Sequence, residues 1–152
     1  MVILVDSREQ KPLEFDHPYI TDIIATKLDI GDYAVRFKDG YIPPFYFERK
    51  TLGDLFSSLT NDYERFKKEI QRATESNYIL IIVVEGSFKR ILSGYAHSTV
   101  EGLTILRKLI TLLIRYRVWH HFFNTREDMA HYIAEFYVGV GKEYVRRKKQ
   151  LK

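Results

Sequence analysis

Tyr33-Ala-Val-Arg-Phe-Lys38, Asp39-Gly40 and Tyr41-Ile-Pro-Pro-Phe-Tyr-Phe-Glu-Arg49 decide the fold. An Asp-Gly pair between runs of β-branched and aromatic residues is the pattern of two antiparallel strands joined by a two-residue turn. Such a turn pairs Lys38 with Tyr41 and sets Asp32 against Phe47. Pro43 and Pro44 interrupt the second strand, and proline has no amide to give to a ladder. A one-residue bulge there shifts the register and brings Asp32 opposite Glu48. Facing side chains in a sheet stand about 5 Å apart. Two carboxylates at that separation repel each other unless a cation lies between them, and a divalent ion is the simplest candidate.

Outward from the hairpin, residues 2–5 read as a buried strand and residues 24–28 as a second extended stretch. Thr51 caps a helix, and another helix runs from Asn61-Asp62 to Ser76. Residues 78–84 form a second buried strand that Glu85-Gly86 ends. A short helix is expected over 87–92, a longer one over 98–117, a short strand over 118–123 and a last helix from Thr125 to Gly139. Strands alternating with helices after an early hairpin make a mixed sheet flanked by helices, an α/β domain.

The chemistry concentrates in Glu48-Arg49-Lys50. Alternate residues of a strand share a face, so Glu48 and Lys50 project together towards Asp32 while Arg49 points away. Paired carboxylates beside an ammonium group suit phosphodiester hydrolysis. Oxygen ligands hold Mg²⁺, the ion polarises a phosphoryl oxygen, and Lys50 orients water and stabilises charge building on phosphate. Asp6 and Glu9 follow the first strand, at the kind of strand end where α/β proteins place functional groups. Asp54, in the first turn of the next helix, is near enough in sequence to support Lys50 or Arg49.

Gly31-Asp32-Tyr33 followed by Glu48-Arg49-Lys50-Thr-Leu-Gly-Asp54 resembles the GDx(n)ERKx3D signature of XPF-type nuclease domains. Val5-Asp6-Ser7-Arg8-Glu9 resembles the first-strand segment of that family, and Val83-Val84-Glu85-Gly86 a recurring strand end. The resemblance covers residues 2–137 and implies a restriction-endonuclease-like mixed central sheet flanked by helices. It further implies a metal-dependent DNA endonuclease using Mg²⁺ or Mn²⁺. Asp32 and Glu48 would be the principal ligands, with Asp6, Glu9 and the backbone carbonyl of Arg49 contributing. Lys50 would be the catalytic lysine, Arg49 and Asp54 would support the site, and Arg8 and Arg65 would contact DNA. The expected substrate is branched, flapped or partly single-stranded DNA in repair, recombination or phage and mobile-element metabolism. Members of that family continue into tandem helix-hairpin-helix motifs, which the few residues after Gly141 do not supply. The alternatives are a catalytically inactive DNA-binding or scaffolding domain of the same fold, and a nuclease acting on RNA or single strands.

Composition sets the remaining bounds. A chain of 152 residues, 45% of them apolar, is sized for one domain with a real core. The absence of cysteine excludes disulfides and thiolate metal sites. Met1-Val-Ile-Leu-Val5 is too short for a signal peptide, and the apolar stretch at 103–114 is broken by Arg107 and Lys108. It falls short of the roughly 20 residues a bilayer requires, so an intracellular, cytoplasmic protein without membrane contact is expected. Arg146, Arg147, Lys148, Lys149 and Lys152 together outweigh the net charge of +4. The chain thus divides into a nuclease domain over 1–143 and a basic tail over 144–152, a candidate phosphate contact. His120 and His121 suit structural roles, and His17, His97 and His131 lack a partner at ligand spacing. The helix after Ser98 is apolar over a wide arc, which calls for cover on two sides. Either it is a buried central helix or it pairs with a second copy through Leu109, Leu113, Tyr116 and Trp119.

Overall fold

Six stretches rich in β-branched and aromatic residues become strands: β1 (Val2–Asp6), β2 (Asp22–Thr26), β3 (Tyr33–Arg36), β4 (Phe45–Thr51), β5 (Ile79–Glu85) and β6 (Trp119–Phe123). In the computed structural model, which describes residues 1–152, they form one sheet in the order β2-β1-β3-β4-β5-β6. The β1–β3 and β3–β4 pairs are antiparallel. The β1–β2, β4–β5 and β5–β6 pairs are parallel. Five helices intervene or follow: α1 (Leu52–Ser58), α2 (Tyr63–Glu75), α3 (Phe88–Leu92), α4 (Gly102–Tyr116) and α5 (Arg126–Gln150). This is the mixed α/β sheet flanked by helices that the sequence leads one to expect.

Alternation along β5 divides the core in two. Leu80, Ile82 and Val84 pack with Leu55 and Phe56 of α1, Phe66 and Ile70 of α2, Ile91 of α3, and Ile105, Leu109 and Leu112 of α4. Ile81 and Val83 face the other way, joining Ile3, Val5, Tyr33, Val35 and Phe47 beneath Met129, Ile133 and Tyr137 of α5. With both faces covered, β5 is apolar at every position but its last. Thr51 and Thr125 cap α1 and α5 by accepting from the amides of Asp54 and Asp128. No helix is long and apolar enough to cross a membrane.

Three expectations need correction. The hairpin loop has three residues, because the Phe37 amide donates to the Tyr41 carbonyl and the Gly40 amide donates to the Phe37 carbonyl, each at 2.9 Å. Gly40 takes a positive φ of 87°, which glycine allows. Beyond this loop, the Phe45 amide folds back onto the Pro43 carbonyl at 2.9 Å. The strand regains its partner with Tyr33 opposite Phe47. The irregularity at the prolines is therefore larger than one residue, yet the register reached is the expected one. Secondly, the last helix does not stop at Gly139 but runs to Gln150, so residues 144–150 are helical. Tyr144 stacks on Tyr41 at 4.3 Å between centroids, and Lys148 meets Asp39 at 2.7 Å, which fastens the basic stretch to the hairpin tip. Thirdly, Leu109 is only 1% exposed and belongs to the core, so it cannot meet a second copy. Leu103, Ile110 and Ile114 of α4 are the exposed apolar residues, with Trp119 beside them in sequence on β6.

Candidate active site

Strand register assembles the site. Val5 pairs with Tyr33 and Tyr33 with Phe47, so one step further along the three strands Asp6, Asp32 and Glu48 form a row. Tyr33 and Phe47 lie on the α5 side of the sheet, and alternation turns the acidic row to the opposite face. Gly31 makes the entry to this row possible. Its φ is +70°, and an added Cβ would stand 2.9 Å from the Phe47 carbonyl oxygen. The chain bends there, the Asp32 amide donates to the Phe47 carbonyl at 2.7 Å, and the Asp32 carboxylate accepts from the Arg49 amide at 2.7 Å. An extended residue offers its N–H and C=O to the same neighbour, so the Arg49 carbonyl is turned to the Asp32 side as well.

Lys50 reaches back along the same face, with Nζ 3.3 Å from Glu48 Oε1 and 4.9 Å above the Phe66 ring. One turn further along α2, Glu69 accepts from the Gly31 amide at 3.1 Å and comes carboxyl to carboxyl with Glu48. The sequence marks neither Phe66 nor Glu69 as a residue of this site. The available signal is their spacing, since residues three apart on a helix share a face.

Burial dominates the electrostatics. It pushes the Asp32 carboxyl up to about 7, assisted by Glu9 and Glu69 and opposed by the Arg49 amide and Lys50. Glu48 is pushed well above the ordinary carboxylate range by burial, then by Asp32 and Glu69, with Lys50 opposing. Both carboxyls are thus pushed above their ordinary range despite the neighbouring lysine.

The other predicted residues take distinct places. Arg49 points to the α5 side, where it bonds Glu9 through Nε and Nη2 at 3.1 and 2.6 Å and Glu85 at 2.7 Å. Arg126 of α5 also holds Glu85, at 2.6 Å, so Glu9 is committed to this network rather than to the acidic row. Asp6 accepts from the Leu28 amide at 3.1 Å and from Arg8 at 2.9 Å. Asp54 is exposed at the start of α1, where it favours the helix dipole, and pairs with neither Lys50 nor Arg49. Arg65 is exposed beside Asp62 at 3.6 Å. Arg146 pairs with Glu143, while Arg147 and Lys149 are exposed. These α5 residues are grouped near the hairpin tip, at the far end of β3 and β4 from Asp32. His121 bonds the Tyr132 hydroxyl at 3.0 Å.

No three acidic or imidazole side chains converge at ligand distance, since Asp6 and Glu9 are turned to arginines. Mg²⁺, however, typically uses one or two carboxylates and fills its octahedron with water and substrate phosphate. The facing Asp32 and Glu48 supply that number. Their raised proton affinity also marks a deficit of positive charge that a divalent ion would make good. The donor set therefore fits a hard cation.

A family model described as the ERCC4 domain matches residues 5–136. Among solved structures, XPF from Aeropyrum pernix aligns with a TM-score of 0.65 and 21% identity, over 88% of this chain and 61% of that one. A structure of XPF from the same organism in complex with DNA aligns at 0.67 and 22%, over 93% and 66% respectively. The chain thus shares their fold and spans somewhat under two thirds of their length. None of the curated proteins matches it.

Proposed function

The chain belongs to the ERCC4 domain family, and from that premise we propose that it is a divalent-metal-dependent DNA endonuclease. One observation carries the reading: Asp32 and Glu48 face each other across neighbouring strands, with the Lys50 ammonium 3.3 Å from Glu48. The likeness in fold to an XPF structure that contains DNA supports DNA as the substrate.

Asp32, Glu48 and the Arg49 carbonyl would hold Mg²⁺ or Mn²⁺. When bound, the ion supplies Lewis-acid stabilisation of the phosphoryl oxygen and a lowered pKa for water. Lys50, resting on the Phe66 face, holds a water for attack and balances charge growing on the phosphate. Arg49 fixes β4 against Glu9 and Glu85 on the far face, so its amide keeps Asp32 in place. Arg8 and Arg65, exposed at the ends of the elements that bear Asp6 and Glu69, are suited to phosphate contact. Arg147 and Lys149 extend that contact at a second, distant place. The exposed apolar row of α4 and Trp119 supports pairing of two copies through α4 and β6.

The test is cleavage of labelled flaps, forks and junctions with Mg²⁺ or with chelator. Wild-type protein is expected to cut only with metal. Asp32→Ala and Lys50→Ala are each expected to lose at least about 100-fold in rate while retaining fold and DNA binding. A folded wild-type protein that cuts no DNA in the panel would favour the inactive scaffold instead.

A further inference from the structure

Helix α2 lies across the acidic row, and two of its residues enter the site. Phe66 lies under Lys50, and Glu69, one turn later, meets Glu48 and the bend before Asp32. Its Oε1 is 3.1 Å from the Gly31 amide, the residue immediately before Asp32. The same carboxyl group stands beside that of Glu48. Glu69 thus touches both strands that carry the facing acids, β4 through Glu48 and the entry to β3 through Gly31.

The place it holds is one the strands cannot secure alone. β3 and β4 share a single paired position, Tyr33 with Phe47, and the chain bends away at Gly31 with positive φ. The strands fix Asp32 through the Phe47 carbonyl and the Asp6 amide, while Gly31, one residue earlier, turns its amide away from the sheet to α2. The Gly31 amide adds an anchor from outside the sheet, and its acceptor comes from a helix more than thirty positions on in the chain. Glu69 is half-buried, so water competes only partly for that bond.

We propose that Glu69 is a positioning residue of the metal site, holding the Gly31–Asp32 bend and the Glu48 carboxyl in place. The proposal rests on the metal-dependent reading above. It acts through hydrogen bonding, not through the charge of Glu69. A glutamine at this position retains an oxygen to accept from Gly31 and gains an amide to donate to Glu48. Alanine and methionine retain neither.

The experiment is Mn²⁺ binding, measured by calorimetry and by the electron paramagnetic resonance of free ion, on the intact chain without DNA. Thermal melting runs alongside, with Asp32→Ala as reference. Glu69→Ala is expected to weaken Mn²⁺ binding at least tenfold, with Glu69→Met behaving alike should alanine disturb α2. Glu69→Gln is expected to return binding to within about threefold of wild type. Two results overturn the proposal while leaving the metal site itself intact. One is wild-type affinity in both Glu69→Ala and Glu69→Met; the other is equal loss in Glu69→Gln, which would make the charge a direct ligand. A wild-type protein that binds no Mn²⁺, like Asp32→Ala, would instead remove the metal-dependent reading and this proposal with it.

Discussion

Burial beside other acids leaves Asp32 with a carboxyl that titrates near 7 instead of its ordinary 3.8, and this has a consequence for stability. The folded protein retains a proton that the unfolded chain releases. Between those two values folding therefore takes up a proton, so stability is complete below about pH 4 and is lost as pH rises through about 7. For Asp32 the effect is bounded by about 4 kcal/mol, and Glu48 adds to it in the same direction. Metal-free protein is expected to melt at a higher temperature near pH 5 than near pH 8, with Mg²⁺ closing the gap at the higher pH. Asp32→Asn, which carries no charge at either pH, should flatten the dependence. Identical melting temperatures at the two pH values in wild type would refute this. Glu48 and Lys50 are legible together because their spacing is local: strand alternation alone places them on one face. Glu69 and the role of Phe66 are not legible, because they enter through the packing of α2 on the sheet. Likewise, Asp54 is close to Lys50 in sequence, but the start of α1 leads it out to solvent.

Elements are more predictable in kind than in extent. The hairpin is announced by Asp39-Gly40, but its loop takes three residues and its proline segment absorbs the difference. The bend at Gly31 is the element's weak point. Gly31→Ala forces a side chain into a left-handed conformation and against the Phe47 carbonyl. A loss of about 1–3 kcal/mol is expected from that strain, seen as a lower denaturation midpoint, with cleavage reduced further because Asp32 moves with the bend. Unchanged stability would mean the bend is not strained. For α5, Gly139 and Gly141 suggest a helix end to a reader of the sequence. They are overridden by contacts made later in the helix: Tyr144 on Phe37 and Tyr41, and Lys148 on Asp39. Each glycine costs about 1 kcal/mol in a helix, and these later contacts offset that cost.

At the scale of the whole molecule, the exposed row Leu103, Ile110 and Ile114 with Trp119 is apolar surface that a second copy could cover. Light scattering at micromolar concentration is expected to give twice the 18.1 kDa chain mass, and Ile114→Glu to halve it. A wild-type mass of 18.1 kDa alone would count against pairing. The order of the elements, the alternation that separates polar from apolar faces, and the run Glu48-Arg49-Lys50 were set by the chain itself, because strand and helix periods act over a few neighbours. Which acids meet was decided in three dimensions. Asp6 ends β1 and Glu9 follows it, yet one bonds Arg8 and the Leu28 amide while the other crosses to Arg49 on the opposite face. The partner of a buried charge is whichever opposite group the packed sheet brings within reach, and that choice depends on residues far apart in the chain.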